Sequence, residues 1–299
     1  MGRVVPEQWR PTGVPAPHRE PGTARIAVDL LGGDHAPAVV VDGALRAVDD
    51  DPSLHLTLVG PAEAADAVLA AVHPAQRHRL TTVLGGTAAE AVAAGRADAL
   101  VSAGDTAVTV LSAARALGRW PGVRRPPLAA VLPTAAGRLV LLDVGSTVDP
   151  DEQTLATHAR LGAAYAAAIH DLPEPRVGLL TIGTERGKGD QLRRAAARLL
   201  EDLPLRYVGL VEGSDVVLGA AADVVVTDGF TGNVLLKALE AAHVAKNTDE
   251  TRAAVLLGVG GIVVVCHGAA TGPDLARGIA FAADLHRHRR IDVVQRGIA

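Results

Sequence analysis

The stretch ADVVVTDGFTGNVLLKALE, residues 222–240, decides how the rest of this chain is read. Val224, Val225 and Val226 form a short β-branched apolar run that suits a strand buried on both faces. Val234, Leu235, Leu236, Ala238 and Leu239 make an apolar helical segment. Between them lies DGFTGN, Asp228 to Asn233, whose Gly229 and Gly232 free the backbone to turn sharply. A strand, a glycine-containing turn and a helix start form an anion site in many folds, because unpaired helix N–H groups face outward. An ordinary strand-to-helix connection has the same composition, so this stretch alone leaves both readings open.

The plan recurs along the chain. ADALVSAGDTAVTVLSA from Ala97 also runs from Ala-Asp through an apolar strand to a small polar turn and an apolar helix. Two such mouths point either to one site built from both or to two ordinary βα units. Ile26–Leu30 reads as a strand, Gly32 and Gly33 as its turn, and Pro37 as the first turn of a helix ending near Val48. Asp34 is placed to cap that helix, and His35 sits beside the same mouth. Further strands are expected at Leu54–Val59, Leu80–Leu84, Tyr207–Val211 and Gly261–Val265, and helices at Pro61–Val72, Ala88–Ala94 and Val108–Leu117. Leu128–Leu132 and Leu139–Val144 read as an antiparallel hairpin, followed by a polar mouth at Gly145–Asp149 and a helix over Asp151–Ile169. The strand Val177–Ile182 enters GTERGKGD, where Lys188 lies between Gly187 and Gly189 just before a helix over Gln191–Leu203. That spacing suits a lysine reaching an anion beside bare backbone donors, though it is not the spacing of a nucleotide P-loop. His267 and Gly268 form the last mouth, and Ala276–Arg290 a closing helix whose basic, histidine-rich end reads as a solvated face.

Strands alternating with helices imply an α/β fold with a largely parallel sheet and helices on both faces. Ligands of such sheets sit outside the carboxyl ends of the strands, where every mouth named above falls. Of the 299 residues 48% are hydrophobic and only 2% aromatic, so Ala, Val and Leu must pack the core. A formal net charge of -4 gives no electrostatic case for nucleic acid. The single cysteine, Cys266, follows an apolar run and reads as a buried structural thiol. Residues 1–24 carry Pro6, Pro11, Pro15, Pro17 and Pro21 and read as a disordered extension, leaving 25–299 as the folded unit. No apolar run reaches membrane-spanning length, which makes a cytoplasmic protein the expectation. A glycosidase carboxylate pair, a GxSxG elbow and a GxGxxG fingerprint are all missing. Residue chemistry by itself therefore reaches an α/β enzyme for an anionic small molecule.

The motifs IAVDLLGGDHAP (26–37), ADALVSAGDT (97–106), PPLAAVLPT (126–134), PRVGLLTIGTERGKGD (175–190), ADVVVTDGFTGNVLLK (222–237) and CHGAA (266–270) occur in this order. Together, from Arg25 to about Ala280, they resemble the phosphate acyltransferase family of bacterial phospholipid synthesis, which makes acyl phosphate from acyl-acyl carrier protein and inorganic phosphate. The resemblance implies a fold related to phosphotransacetylases and isocitrate-dehydrogenase-like enzymes, with two lobes around a cleft, and a homodimer. It implies that Lys188 and Asn233 are catalytic, with His35 as a third candidate. The other residues of the mouths, Gly33, Asp34, Ser102, Gly104, Asp105, Thr106, Gly187, Gly189, Asp228, Gly229, Thr231, Gly232 and His267, are candidates to bind the substrate. Phosphate is already nucleophilic at neutral pH, so the implied reaction is direct attack on the thioester, with no metal or cofactor needed.

The chain departs from the family pattern in specific places. Asp105 and Ala107 stand where SAGNTG is usual, and Asp190 replaces an asparagine. A basic segment between Leu84 and Ala91 is shortened, as is a long helical insertion between Glu240 and Leu256 that the family associates with the dimer tip and the membrane. These losses bear on carrier docking and membrane contact. The competing readings are a non-catalytic relative that binds an acyl group or its carrier, an enzyme using acyl-CoA, and a related oxidoreductase. The last would need metal-binding aspartates and a nucleotide site that the sequence does not offer.

Overall fold

The structure is a computed structural model that describes residues 22–244 and 253–298. The expected extension therefore lies outside the described residues up to residue 21, as does the polar segment 245–252 left by the shortened insertion.

The first part of the chain alternates strand and helix: β1 (Ala24–Asp29), α1 (Ala38–Asp50), β2 (Leu54–Gly60), α2 (Ala62–Ala71), β3 (Leu80–Leu84), α3 (Ala88–Ala93), β4 (Ala99–Ser102) and α4 (Thr106–Ala116). The hairpin β5 (Leu128–Thr134) and β6 (Gly137–Leu142) follows, then α5 (Glu152–His170), β7 (Val177–Leu180), α6 (Gln191–Glu201), β8 (Tyr207–Val211), α7 (Gly213–Leu218), β9 (Val224–Val226) and α8 (Gly229–Val244). The chain ends in β10 (Ala253–Leu256), β11 (Ile262–Cys266), α9 (Gly272–Arg287) and α10 (Arg290–Ile298). β4, β9 and β11 are buried at every position, as strands covered by helices on both faces must be. Alternate residues feed the two layers of core: Val28, Val101 and Val264 on one side, Ala27, Leu100 and Val263 on the other.

Among the described residues, eleven strands join one sheet in the order β3-β2-β1-β4-β11-β10-β5-β6-β9-β7-β8. The pairs from β3 to β11 are parallel, and so are those from β6 to β8. Between these sets β11–β10, β10–β5 and β5–β6 are antiparallel, and three reversals in a row turn the second set against the first. The glycine-rich mouths are thus at strand carboxyl ends, as expected, but in two groups at opposite edges. α8 links the groups: it starts at the mouth of β9 and carries Glu240 to within 4.0 Å of His267, the residue after β11.

Several sequence expectations need correction. Asp34 does not cap α1; the cap position is Pro37, which has no side-chain acceptor. α4 begins at Thr106, because the Asp105 carboxylate accepts the Val108 N–H at 2.9 Å and nucleates the turn earlier. α9 begins at Gly272, four residues before the expected start, capped by Thr271 and Asp274. Its basic end is solvated only in part: His288 and Arg289 are exposed, while Arg287 pairs with Asp51 at 2.7 Å and Arg290, the first residue of α10, donates to the Ala168 carbonyl at 2.6 Å. α7, α10 and β10 have no counterpart among the elements expected from sequence.

The two similar stretches share a clasp at the foot of the sheet. Arg25 donates from N, Nε and Nη2 to the Asp98 carboxylate at 3.0, 3.2 and 2.8 Å. Arg176 binds Asp223 with the same three atoms, at 2.8, 3.0 and 2.8 Å. In each case Nη1 reaches a nearby backbone carbonyl, of Gly95 and of Ala220. The likeness between Ala97-Asp98 and Ala222-Asp223 therefore includes one shared structural role.

Candidate active site

At the edge formed by β6, β7 and β9, the site is built on a buried carboxylate. Asp143 Oδ1 accepts the N–H groups of Leu128, Gly145 and Ser146 at 3.0, 3.1 and 2.9 Å, and Oδ2 accepts that of Thr147 at 2.6 Å. Burial pushes this carboxyl up, but all four partners are donors, which suit the ionised form. Beside it His158 is fully buried, and burial lowers its pKa; Nε2 lies 3.0 Å from the Arg125 carbonyl.

The loop that Asp143 shapes is the seat of α8. The Thr147 carbonyl accepts the Gly229 N–H at 2.7 Å, and the Asn233 side-chain amide donates to the Val144 carbonyl at 2.9 Å. Gly232 packs so closely on the Asp143 carbonyl that a side chain there would collide with it. An amide carries two N–H donors, so the bond to Val144 orients Asn233 and leaves the second donor for a ligand.

Asp228 opens the turn into α8. Its oxygens accept the Thr231 N–H and hydroxyl, both at 2.8 Å, and Arg193 Nη2 closes on Oδ2. Burial raises the pKa of this carboxyl, but the Thr231 bonds and the guanidinium outweigh it and hold it below the ordinary range. Arg193 also pairs with Asp190 at 2.7 Å, while Asp190 caps α6 through the Arg193 N–H. Asp228, Thr231 and Asp190 are thus gathered by a guanidinium that sequence reasoning missed. The spacing Asp190-Arg193 was readable as one helix face, but nothing local announced Asp228.

The other edge gathers the remaining mouths. The Ser102 hydroxyl donates to Asp29 at 2.7 Å and accepts the Gly104 N–H at 3.0 Å. The Asp34 N–H donates to the Gly268 carbonyl at 2.8 Å, and Gly33 lies against the same carbonyl. His267 Nδ1 accepts the Ala269 N–H at 3.1 Å, which puts the proton of the neutral ring on Nε2, facing Glu240.

A cleft joins the two edges. Thr106 and His267 line it from one and Val144 and Asn233 from the other, with Leu236 and Glu240 of α8 between. Lys188 and His35 are not among the residues that line it. Both are exposed; Lys188 Nζ lies 3.8 Å from Glu185, on a loop that Gly187 and Gly189 turn with φ of 91° and 88°. Arg124 pairs with Asp151 at 2.6 Å. Cys266 is buried, and burial pushes its thiol up to about 12.

This architecture is that of the phosphotransacylase fold. A phosphotransacetylase from Streptococcus pyogenes superposes with a TM-score of 0.63, covering 90% of this chain and 94% of its own, at 18% identity. A branched-chain phosphotransacylase from Enterococcus faecalis gives 0.59 over 88% and 99%, at 17% identity. Residues 24–87 and 84–247 match the family described as "Fatty acid synthesis protein". A "Phosphate acyltransferase" of Thermobifida fusca is 41% identical over 334 residues, 92% of this chain and 91% of its own length. One of Desulfitobacterium hafniense is 37% identical, over 87% and 93%. The chain belongs to the phosphate acyltransferase family. The alignment with the Thermobifida protein is longer than this chain, so that relative carries segments this chain lacks, as the shortened loops led one to expect.

Proposed function

We propose that this chain moves a fatty acyl group from acyl-acyl carrier protein to inorganic phosphate, yielding acyl phosphate for phospholipid synthesis. A phosphate oxygen attacks the thioester carbonyl carbon, the tetrahedral oxyanion collapses, and the carbon–sulfur bond breaks to release the carrier thiolate. Asn233 supplies a hydrogen bond to the oxyanion or to phosphate, Lys188 offsets the phosphate charge, and His35 orients the phosphate. We read it as a cytoplasmic homodimer. No helix among the described residues is long and apolar enough to cross a membrane.

The observation that carries this reading is the cleft in which an oriented amide, Asn233, adjoins an apolar floor. An acyl transferase needs both a polar end for chemistry and a dry surface for the chain. The test is purified protein incubated with phosphate and either acyl-acyl carrier protein or acyl-CoA, with acyl phosphate trapped by hydroxylamine. Acyl phosphate from the carrier thioester supports the reading, and acyl phosphate from acyl-CoA alone replaces the donor. The exposure of Lys188 beside Glu185 favours a second reading, an acyl-binding relative without turnover. No acyl phosphate from either donor, with binding retained, would establish it.

A further inference from the structure

We propose that a cavity on the rear of the sheet, the side away from α8, binds a compact fused-ring anion such as an aryl carboxylate or aryl sulfonate. The site lies between the ends of α5 and α9, and it does not depend on the acyl-transfer reading.

Strand alternation separates this space from the front cleft. Leu128, Ala130 and Leu132 of β5 belong to the core layer under α8, while Ala129 and Val131 belong to the opposite layer. On that opposite side lies a cavity of about 270 Å³, and Val131, Pro133 and Ala253 border both spaces as the partition. Phe281 and Leu285, one turn apart on α9, complete an apolar wall with Ile169 of α5. An apolar cavity of about 150 Å³ holds one benzene ring, so this one has room for two fused rings. Phe281, one of only two phenylalanines in the chain, gives those rings an aromatic surface to pack on.

The rim decides the sign of the ligand's charge. Its titratable side chains are Arg138, His170, Asp284 and Arg290. Asp284 already faces His288 Nδ1 at 2.9 Å. Arg290 is held by the Ala168 carbonyl at 2.6 Å and lies 3.7 Å from Asp171. Arg138 stands directly across from Pro133 in the β5–β6 hairpin and so shares its face. It is exposed and forms no ion pair with any described residue. Burial, and then the charge of Arg138, lower the pKa of His170, so the imidazole is neutral at pH 7 and feels the guanidinium beside it. One cation without a partner therefore stands over an apolar wall. A guanidinium matches the oxygens of a carboxylate or sulfonate and also lies flat on an aromatic ring, so a fused-ring anion satisfies both surfaces at once.

Calorimetric titration of the whole chain with naphthalene-2-sulfonate, 2-naphthylmethylammonium and decane-1-sulfonate tests each element separately. Naphthalene-2-sulfonate should bind once per chain, about tenfold tighter than the ammonium, because the unpaired guanidinium attracts one and repels the other. It should also bind more tightly than decane-1-sulfonate, whose ten carbons must give up their rotational freedom. Arg138→Gln should bring the naphthyl sulfonate down to the affinity of the ammonium. Ile169→Trp, which fills the cavity, should abolish binding; if that variant does not fold, Arg138→Gln on the exposed rim still decides. Leu236→Trp, which fills the front cleft, should leave binding unchanged. The proposal is overturned by no binding at millimolar naphthalene-2-sulfonate, by an ammonium or a decyl chain that binds as well, or by an affinity that Arg138→Gln does not move. Loss of binding in Leu236→Trp would place the ligand in the front cleft and overturn it too.

Discussion

Arg193, on the first turn of α6, closes on Asp228 at the turn into α8, joining two loops that lie 35 residues apart in sequence. Both side chains are largely shielded, at 13% and 8% exposure, so removing Arg193 leaves a shielded carboxylate without its cation. Arg193→Ala should destabilise the fold by about 3 kcal/mol, the lower end for a broken buried pair because Thr231 still serves Asp228. Urea unfolding checks this, and a midpoint equal to that of the unaltered protein would count against a structural role.

Asn233 and Lys188 should separate in the same two measurements. Asn233→Ala should lower turnover about a hundredfold, as loss of one oriented donor does. Lys188 is exposed, so Lys188→Ala should leave the melting temperature unchanged and lower turnover about tenfold. Full activity in either variant removes that residue from the proposed mechanism.

Asp105 departs from the family pattern, yet its carboxylate has a structural task as the cap of α4. Asparagine caps equally well, so Asp105→Asn should leave stability within about 0.5 kcal/mol, while Asp105→Ala should cost about 1 kcal/mol. If the carboxylate also faces phosphate, Asp105→Asn should lower the apparent phosphate KM. Thermal unfolding and phosphate kinetics on both variants distinguish capping from repulsion.

Asp151 gives a pH signature. The Thr154 hydroxyl and N–H, then Arg124, hold its carboxyl down to about 2, against an ordinary value of about 3.9. A depressed folded pKa stabilises fully above the unfolded value and ceases to do so as pH falls through the folded one. The stability gap between the unaltered protein and Asp151→Asn should therefore narrow between about pH 4 and about pH 2. Urea titrations at stepped pH would show a constant gap if Asp151 were unimportant.

The parts of the fold legible in sequence are those that local pattern determines. Val224–Val226 and Ala99–Val101 announced buried strands, and the apolar run before Cys266 announced a buried thiol. What escaped was set by distant partners. β10 is only AAVL, too short to show a period, yet it starts the reversal that parts the mouths into two groups. Asp34 had the composition of a cap, but Pro37 took that position. Within the site, Asn233 and Thr106 do share a cleft, while the contacts of Arg193 and Asp143 depend on loops that no spacing rule connects.

The paired clasps, Arg25 on Asp98 and Arg176 on Asp223, sit at the strand feet, away from every mouth. They lock neighbouring elements at the ends of the strands opposite the mouths, so a change at the rim leaves these locks in place. In these two βα units the end that fixes the frame is thus separate from the end that carries the mouth. Libraries aimed at new acyl or oxyanion substrates can be confined to rim positions such as Thr106, Thr231 and Asn233, leaving Gly229, Gly232, Asp228 and the four clasp residues untouched.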